Sequence, residues 1–259
     1  RVAERIGPAR LALALRRPDA AAVTAALTGI AGLRGGIRLI GSVTELVVTA
    51  EPPFAAAAAR TLGDLLAPIT VTELDEWEVP PDVVDAACVV LRGAAIAAIS
   101  PTVVRLSSLD ALADANATCA PTPELIALLR DPTPAVRRAV ALVIRPQQRL
   151  ATGGFAAGTR DVDKGVASAS VAALCEVAGL QGLRASAREP IWEQTRQAAR
   201  RLAVTAGTPP EDAVQMLDCL DPTSTADRQI LDGLKARSRT PVGDRAAEIL
   251  NLAQGRARP

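Results

Sequence analysis

Residues 131–142 read D-P-T-P-A-V-R-R-A-V-A-L, and looser versions of this phrase recur about every thirty residues along the chain. An aspartate followed by a proline favours the start of a helix, because aspartate caps free N–H groups and proline loses no needed hydrogen bond in the first turn. Val136, Ala139, Val140 and Leu142 then fall largely on one side at helical spacing, which predicts an amphipathic helix.

The residues before this phrase, 123–130 (P-E-L-I-A-L-L-R), predict a short apolar helix, so the two segments form an antiparallel pair joined by a tight Asp-Pro turn. The phrase, taken from Pro132, has four weaker copies, which start at Pro101, Asp161, Pro190 and Pro222. The intervals between successive starts along the chain are 31, 29, 29 and 32 residues. A near-constant spacing over five segments indicates a chain built from stacked helical repeats.

The phrase resembles the second helix of HEAT repeats, in particular the short bacterial kind seen in phycobilin lyase-type proteins. That helix opens with Asp-Pro, followed by Val-Arg and then by Ala and Leu, and the matching residues here are Asp131, Pro132, Val136, Arg137, Ala139 and Leu142. The resemblance implies an all-α, right-handed α-α superhelix, that is, a HEAT/armadillo-like solenoid of antiparallel helix pairs. It also implies that Asp131 and Arg137 are architectural, bonding to neighbouring turns.

The repeats differ in regularity along the chain. We predict irregular helical repeats in 1–79 and HEAT-like repeats in 80–259, forming one continuous solenoid. Residues 18–33 and 52–66 read as helices, whereas the β-branched stretch 37–50 is compatible with a helix or a strand. Two segments break the pattern, the acidic connector 67–80 and the glycine-containing stretch 147–159.

Composition restricts the function more than it identifies it. The chain has 259 residues, of which 49% are hydrophobic but only 2% aromatic, so alanine and leucine must supply most of the core. The net charge of +1 provides no global field that would attract nucleic acid or a membrane. No uncharged apolar run reaches the ~20 residues of a membrane-spanning helix, so no transmembrane segment is expected.

No motif predicts catalysis or a cofactor. The chain has no histidine, which removes the commonest general base and metal ligand. The four cysteines lack metal-ligand spacing, and phosphate-binding, dinucleotide-binding and nucleophile-elbow motifs are missing from the sequence. We therefore expect a protein that is not an enzyme and has no cofactor or metal.

The four cysteines allow two interpretations. They could form two disulfides in an exported protein, for example Cys88–Cys119 and Cys175–Cys219, although four cysteines allow three pairings. The interpretation we prefer is that each is a small unpaired residue buried on an alanine-rich face, which favours the cytoplasm. The chain begins at Arg1, so a preceding segment, including a removed signal peptide, stays open.

Two groups of residues are candidates for binding a partner. Trp77 lies in the acidic connector with Glu73, Asp75 and Glu76, and tryptophan is enriched at binding hot spots. The alternative is that Trp77 folds back over the helices.

Arg196 and Arg200 are four residues apart and share a helix face, so they could bind phosphates or an acidic protein. The alternative is that they are solvated and paired with neighbouring acids such as Glu193.

Three functions follow from these expectations. The first is a non-catalytic scaffold or adaptor that binds protein partners on a solenoid surface, without nucleic acid. The second is a structural subunit of a larger assembly. The third is a HEAT-like lyase or a nucleic-acid-binding protein, which has less support because the chain offers few aromatic residues and no basic groove.

Overall fold

The computed structural model describes residues 2–16, 19–33, 35–67, 74, 78–144, 152–179, 185–237 and 239–256. Their contacts divide the chain into two compact units, Arg1–Pro146 and Gln147–Pro259. The division into 1–79 and 80–259, which concerns the regularity of the repeats, stays a prediction. Within the first unit, helices from both sides of residue 79 pack extensively against each other.

The first unit contains eight helices in its described residues. A short 3₁₀ turn, Gly36–Leu39, leads into α3, and another, Leu128–Arg130, extends α7. Gly7 interrupts α1 with a positive φ of 68°. The helices are α1 (Val2–Leu15), α2 (Ala20–Ala31), α3 (Ile40–Thr49), α4 (Pro52–Leu66), α5 (Pro81–Ile96), α6 (Thr102–Asp114), α7 (Pro123–Ala127) and α8 (Pro134–Ile144).

These helices form successive antiparallel pairs that stack in two layers. The second helices of the pairs, α2, α4, α6 and α8, pack against one another, and the first helices α3, α5 and α7 form the other layer. The closest packing is between α4 and α6, where a Cβ added to Gly63 would lie 2.7 Å from the Cα of Ala111. Glycine is therefore required at this crossing because any side chain would push the two helices apart.

The second unit repeats this arrangement with six described helices. They pair as α9 with α10, α11 with α12 and α13 with α14, and the second helices again contact each other. The core of this unit is built mainly from alanine and leucine, together with Met216. The helices are α9 (Thr152–Gly158), α10 (Lys164–Gly179), α11 (Ala185–Val204), α12 (Pro210–Leu217), α13 (Thr225–Lys235) and α14 (Pro241–Arg256).

Several predicted helices are confirmed. The stretch 52–66 is α4, and Ala58, Leu62 and Leu65 on it are buried. The ambiguous stretch 37–50 is helical throughout Gly36–Thr49. Every described secondary-structure element is a helix, which confirms the all-α class.

The predicted inner face of α8 is partly wrong. Val136 and Val140 are fully buried, as expected, whereas Leu142 is 47% exposed. Val143 and Ile144 are buried in its place, because residues 136, 140, 143 and 144 follow the helical spacing of one face more closely. The helix also begins at Pro134, two residues later than predicted.

The predicted break in the repeats at 147–159 begins where the second unit begins, at Gln147, and its described part contains a helix. Helix α9 (T-G-G-F-A-A-G) contains three glycines, yet its Phe155 is completely buried and the helix packs against α10. A Cβ on Gly158 would lie 2.2 Å from the Ser170 hydroxyl oxygen, so this glycine permits the close contact of the two helices. Burial here outweighs the low helix propensity of glycine.

The segments that recur about every thirty residues do not all lie in the same layer of helices. Three of them coincide with the starts of the second helices α6, α8 and α10, which begin at Thr102, Pro134 and Lys164. The copy at Pro190 instead lies inside α11, and the copy at Pro222 precedes α13, a first helix. The register changes because α11 is 20 residues long, whereas α9 has only 7.

Candidate functional site

A groove lies between the two neighbouring first helices of the first unit, α3 and α5. Gly41 and Val83 lie near the starts of α3 and α5, and a Cβ on Gly41 would lie 3.9 Å from a methyl carbon of Val83. Residues near the C-terminal ends of both helices line the groove. The two helices therefore run side by side. The cavity between their C-terminal halves has a volume of about 430 Å³. We call it the valine groove, and its main lining residues are Val47, Val48, Pro52, Val90, Ala94 and Val104.

Small residues produce this groove. Gly93, Ala94 and Ala97 face it from α5 and the turn that follows, where larger side chains would fill the space. Its floor rests on a small apolar cluster in which Ala55 and Ala56 of α4 pack with Val104 of α6. The groove therefore lies over a buried apolar cluster that joins α4 and α6.

Apolar side chains are exposed at and beside the groove. Val48 lines it and is 70% exposed, whereas Val89, next to Val90, is 60% exposed. Ile99, between the lining residues Ala97 and Ser100, is 97% exposed. Exposed apolar residues that adjoin an apolar cavity are typical of an interaction site.

Apart from Arg92 and the buried Arg105, which is paired with Asp131, the charged residues nearest the valine groove along the chain are acidic. No charged side chain lines it, but Glu45 and Glu51, both exposed, lie three residues before and after Val48. On α5, the exposed Asp82 and Asp85 lie within two turns before Val89.

A more polar depression of about 480 Å³ continues along the same two helices, and its Arg38 pairs with Glu78 at 3.7 Å between Nη2 and Oε2. Its positive charge is therefore balanced locally, so the surroundings of the valine groove stay acidic.

The structure places the two predicted binding groups very differently. Glu73, Asp75, Glu76 and Trp77 lie outside the described residues, so their role in binding stays a prediction. Arg196 and Arg200 lie on α11 with side chains 18% and 20% exposed, and each contacts carboxylates of its own unit.

A network of ion pairs holds these two arginines. Glu193 bridges them, at 2.7 Å from Arg196 Nη2 and 3.3 Å from Arg200 Nη1. Arg200 Nε donates to the fully buried Asp227, and this bond raises the pKa of Arg200 above its ordinary value. Asp221 lies 3.7 Å from Arg196 Nη1.

Burial alone would raise the pKa of Glu193. The hydrogen bond from Gln197 and the charges of the two arginines outweigh this effect and lower it. Through Asp221 and Asp227 the network joins α11 to α13 and to the turn before it, which is a structural role. Contact of Arg196 or Arg200 with a partner stays a prediction.

The architectural role expected of Asp131 and Arg137 is confirmed. Asp131 Oδ1 accepts the N–H of Thr133 at 2.8 Å, and Arg137 Nη1 donates to the Asp131 carbonyl oxygen at 2.8 Å. The sequence did not reveal the third partner, Arg105, whose Nη2 lies 2.6 Å from Asp131 Oδ2 with both side chains more than nine-tenths buried. Arg105 Nε also donates to the Ala95 carbonyl oxygen at 3.0 Å.

In the described part of the chain, the turn at Asp131 recurs at Asp161 and Asp221. Asp161 and Asp221 each accept the N–H of the residue two positions later at 2.9 Å, as Asp131 does. The shared sequence is D-x-T or D-x-D, spaced by 30 and then 60 residues. This short turn, more than the whole twelve-residue phrase, is the repeated unit that the structure preserves.

The preferred interpretation of the cysteines as unpaired thiols is wrong. The structure contains Cys88–Cys119 and Cys175–Cys219, with Cα–Cα distances of 5.3 and 5.7 Å, and neither cysteine pair leaves a free thiol. Burial was correctly expected for Cys88, Cys119 and Cys219. Burial does not distinguish free from paired cysteines, because buried cysteines with Cα atoms about 5–6 Å apart are also positioned to bond with each other.

Cys88–Cys119 links α5 to the turn after α6, and Cys175–Cys219 links α10 to the turn after α12. Each bridge thus joins two elements of one unit.

The described residues contain no group of three or more potential ligands that could hold a metal ion. Within the same part of the chain, no helix combines the length and apolar character needed to cross a bilayer.

Comparison with known proteins identifies the fold. No protein-family model matches the sequence, and the search of curated proteins gave no match. Among solved structures, a computationally designed armadillo repeat protein for modular peptide recognition superposes with a TM-score of 0.52 at 15% identity. The match covers 81% of this chain and 97% of the designed protein.

Kap121p superposes with a TM-score of 0.59 at 15% identity, covering 93% of this chain and 26% of Kap121p. Kap121p bound to RanGTP gives a TM-score of 0.56 at 16% identity, covering 96% of this chain and 26% of that chain. These similarities, together with the layered antiparallel pairs, show that this chain has the all-α helical-repeat fold of armadillo and HEAT-like proteins.

Proposed function

We propose that this protein is a non-catalytic interaction scaffold that binds a partner protein in the valine groove. The observation that carries the proposal is the apolar cavity of about 430 Å³ beside exposed Val48, Val89 and Ile99. Binding hot spots lie in apolar pockets that water leaves on association, and the valine groove meets that requirement.

The similar structures support a binding role. One is a designed protein for modular peptide recognition, and another is Kap121p bound to RanGTP. Stacked helical pairs offer extended surfaces made of side chains from successive repeats, and such surfaces suit protein and peptide partners. The proposal that the protein is not an enzyme rests on the lack of histidine and of recognised catalytic motifs in the sequence.

Site-specific photo-cross-linking in the source organism tests the proposal. A photoreactive amino acid replaces Val48 or Val89 in the groove, or Val162 in the other unit, which is 94% exposed. We expect a discrete protein adduct from both groove positions and none from Val162. No adduct from the groove, or the same adducts from Val162, would contradict the proposal.

The chain offers a matched pair of variants for the same experiment. A Cβ at Gly93 or at Gly233 would meet no atom within 4 Å, and both glycines lie within helices. Only Gly93 lines the valine groove. Gly93→Leu should therefore remove the adduct from Val48, whereas Gly233→Leu should leave it unchanged.

A further inference from the structure

We infer that the segment bound in the valine groove presents an aliphatic side chain flanked by lysine or arginine. This inference rests on the proposed function and specifies the chemistry of the partner. Its two elements, the apolar anchor and the basic flanks, follow from separate features of the groove.

The anchor follows from the lining. The residues around the cavity are valine, alanine, proline, glycine and one serine, so the groove offers very few hydrogen-bond partners. A polar side chain placed there would lose its hydrogen bonds to water without replacement. The volume of about 430 Å³ lies near the lower end for ligand sites, which suits one or two aliphatic side chains and not a folded domain or a large cofactor.

The flanks follow from the charges at the edges. Glu45 and Glu51 lie on either side of Val48 along the chain, so Glu45 is about 4.5 Å from Val48 along the axis of α3. Asp85 has a similar position one turn before Val89 on the opposite helix. Each exposed valine therefore has a carboxylate about one turn away along its own helix.

These carboxylates are available to a partner. In the described part of the chain, no lysine or arginine forms an ion pair with Glu45, Glu51, Asp82 or Asp85. The nearby Arg38 pairs with Glu78, and Arg92 donates to the Ala120 carbonyl oxygen at 2.9 Å. Acidic groups within a Debye length of ~8 Å repel one another, so a cationic segment is attracted and an acidic one is repelled.

The test begins with a random-peptide display library selected on the immobilised full-length protein. We expect enriched peptides with Ile, Leu or Val next to Lys or Arg. An enriched peptide is then synthesised with a fluorophore, and its Kd is measured by fluorescence anisotropy against the unmodified protein and its variants. Thermal unfolding by circular dichroism confirms that each variant is folded.

The variants separate the two elements of the inference. Gly93→Leu fills the groove and should weaken binding by at least about tenfold, whereas Gly233→Leu should leave the Kd unchanged. The double variant Glu45→Lys/Glu51→Lys should weaken binding about five- to tenfold and reduce its salt dependence, since each exposed charge pair contributes modestly. Lys235→Glu, a charge reversal in the other unit, should have no effect.

Each contrary result points to a different error. If neutral or acidic peptides are enriched and Gly93→Leu still abolishes their binding, the basic flanks are wrong and the proposed groove function stands. If enriched peptides bind Gly93→Leu as tightly as the unmodified protein, the groove is the wrong site. If no peptide is enriched and a fluorescent fatty acid binds in a manner that Gly93→Leu prevents, the inferred peptide partner is wrong.

Discussion

Replacing Arg105 with methionine should strongly destabilise the first unit. Arg105 and Asp131 form an ion pair with side chains only 6% and 7% exposed, and Arg105 also binds the Ala95 carbonyl oxygen at the end of α5. The pair therefore connects α5, α6 and the turn before α8. Methionine retains much of the apolar stem but leaves the Asp131 carboxylate without its buried counter-charge.

The magnitude follows from the burial of the pair. Removing one member of a buried ion pair costs about 3–5 kcal/mol, because the remaining charge is left without compensation. The Asp131 carboxylate would keep its hydrogen bonds from Thr133, whose N–H donates to Oδ1, but these carry no compensating charge. Typical domains have a free energy of unfolding of ~5–15 kcal/mol, so this loss would leave the unit marginally stable.

Hydrogen exchange followed by mass spectrometry measures this effect in each unit separately. Peptides from α5, α6 and α8 should exchange faster, by an amount equivalent to about 3–5 kcal/mol of opening free energy, while peptides from α13 and α14 remain unchanged. Arg130→Met is the matched control, because Arg130 is exposed and lies next to Asp131 in the chain. It should change the opening free energy by no more than about 0.5 kcal/mol.

A double-mutant cycle tests the mechanism of this loss. Asp131→Asn should itself destabilise the unit, and the double variant Arg105→Met/Asp131→Asn should lose less than the sum of the two single variants. We expect a coupling energy near the upper end of the ~0.5–3 kcal/mol range for residues in contact. A loss below about 1 kcal/mol for Arg105→Met, or additive single effects, would refute the reasoning.

Three further predictions concern the same unit. Removing Cys88–Cys119 by double serine substitution should cost about 3.7 kcal/mol in urea unfolding, since the bridge closes a loop of 31 residues; an unchanged urea midpoint would contradict this. Gly63→Val should separate α4 from α6, which lowers the free energy of unfolding by about 1–3 kcal/mol and so lowers the Tm. Gly93→Ala adds a Cβ that meets no neighbour, so it should raise the free energy of unfolding by up to about 1 kcal/mol. Burial by itself would raise the pKa of Asp131. The hydrogen bonds from Arg105 and Thr133, together with the charge of Arg105, outweigh this effect, so the pKa lies below its ordinary value. The stability this group contributes is therefore full above its unfolded pKa of ~3.9 and is lost as the pH falls through the lower folded value. Asp131→Asn should weaken the dependence of the free energy of unfolding on pH in the acid range. An unchanged dependence in that range would contradict this prediction.

The sequence predicted the helical class and one of its structural details well. The Asp-Pro phrase at 131–142 identified an architectural aspartate, because the capping and turn preferences of aspartate are local effects that a single sequence contains. Arg105 could not be identified in the same way. It lies 26 residues before Asp131, and only the packing of α6 against the next pair brings them together.

The valine groove was also missed, for a physical reason. It depends on glycine and alanine positions in α5 and on the distance between α3 and α5, neither of which gives a distinctive local pattern. The sequence drew attention instead to charged and aromatic residues. Two of these, Arg196 and Arg200, prove to be held by Glu193 and Asp227, a possibility that the i,i+3 spacing of Glu193 and Arg196 already suggested.

A methyl NMR titration of the valine-labelled protein with an enriched peptide or with the cross-linked partner shows whether the valine groove is the binding site. If the valine groove is the binding site, the largest shifts will occur at Val47, Val48, Val90 and Val104, with Val166 and Val171 in the second unit unchanged. If the largest shifts occur in the second unit, or if the groove valines do not respond to a ligand that binds, the account is wrong.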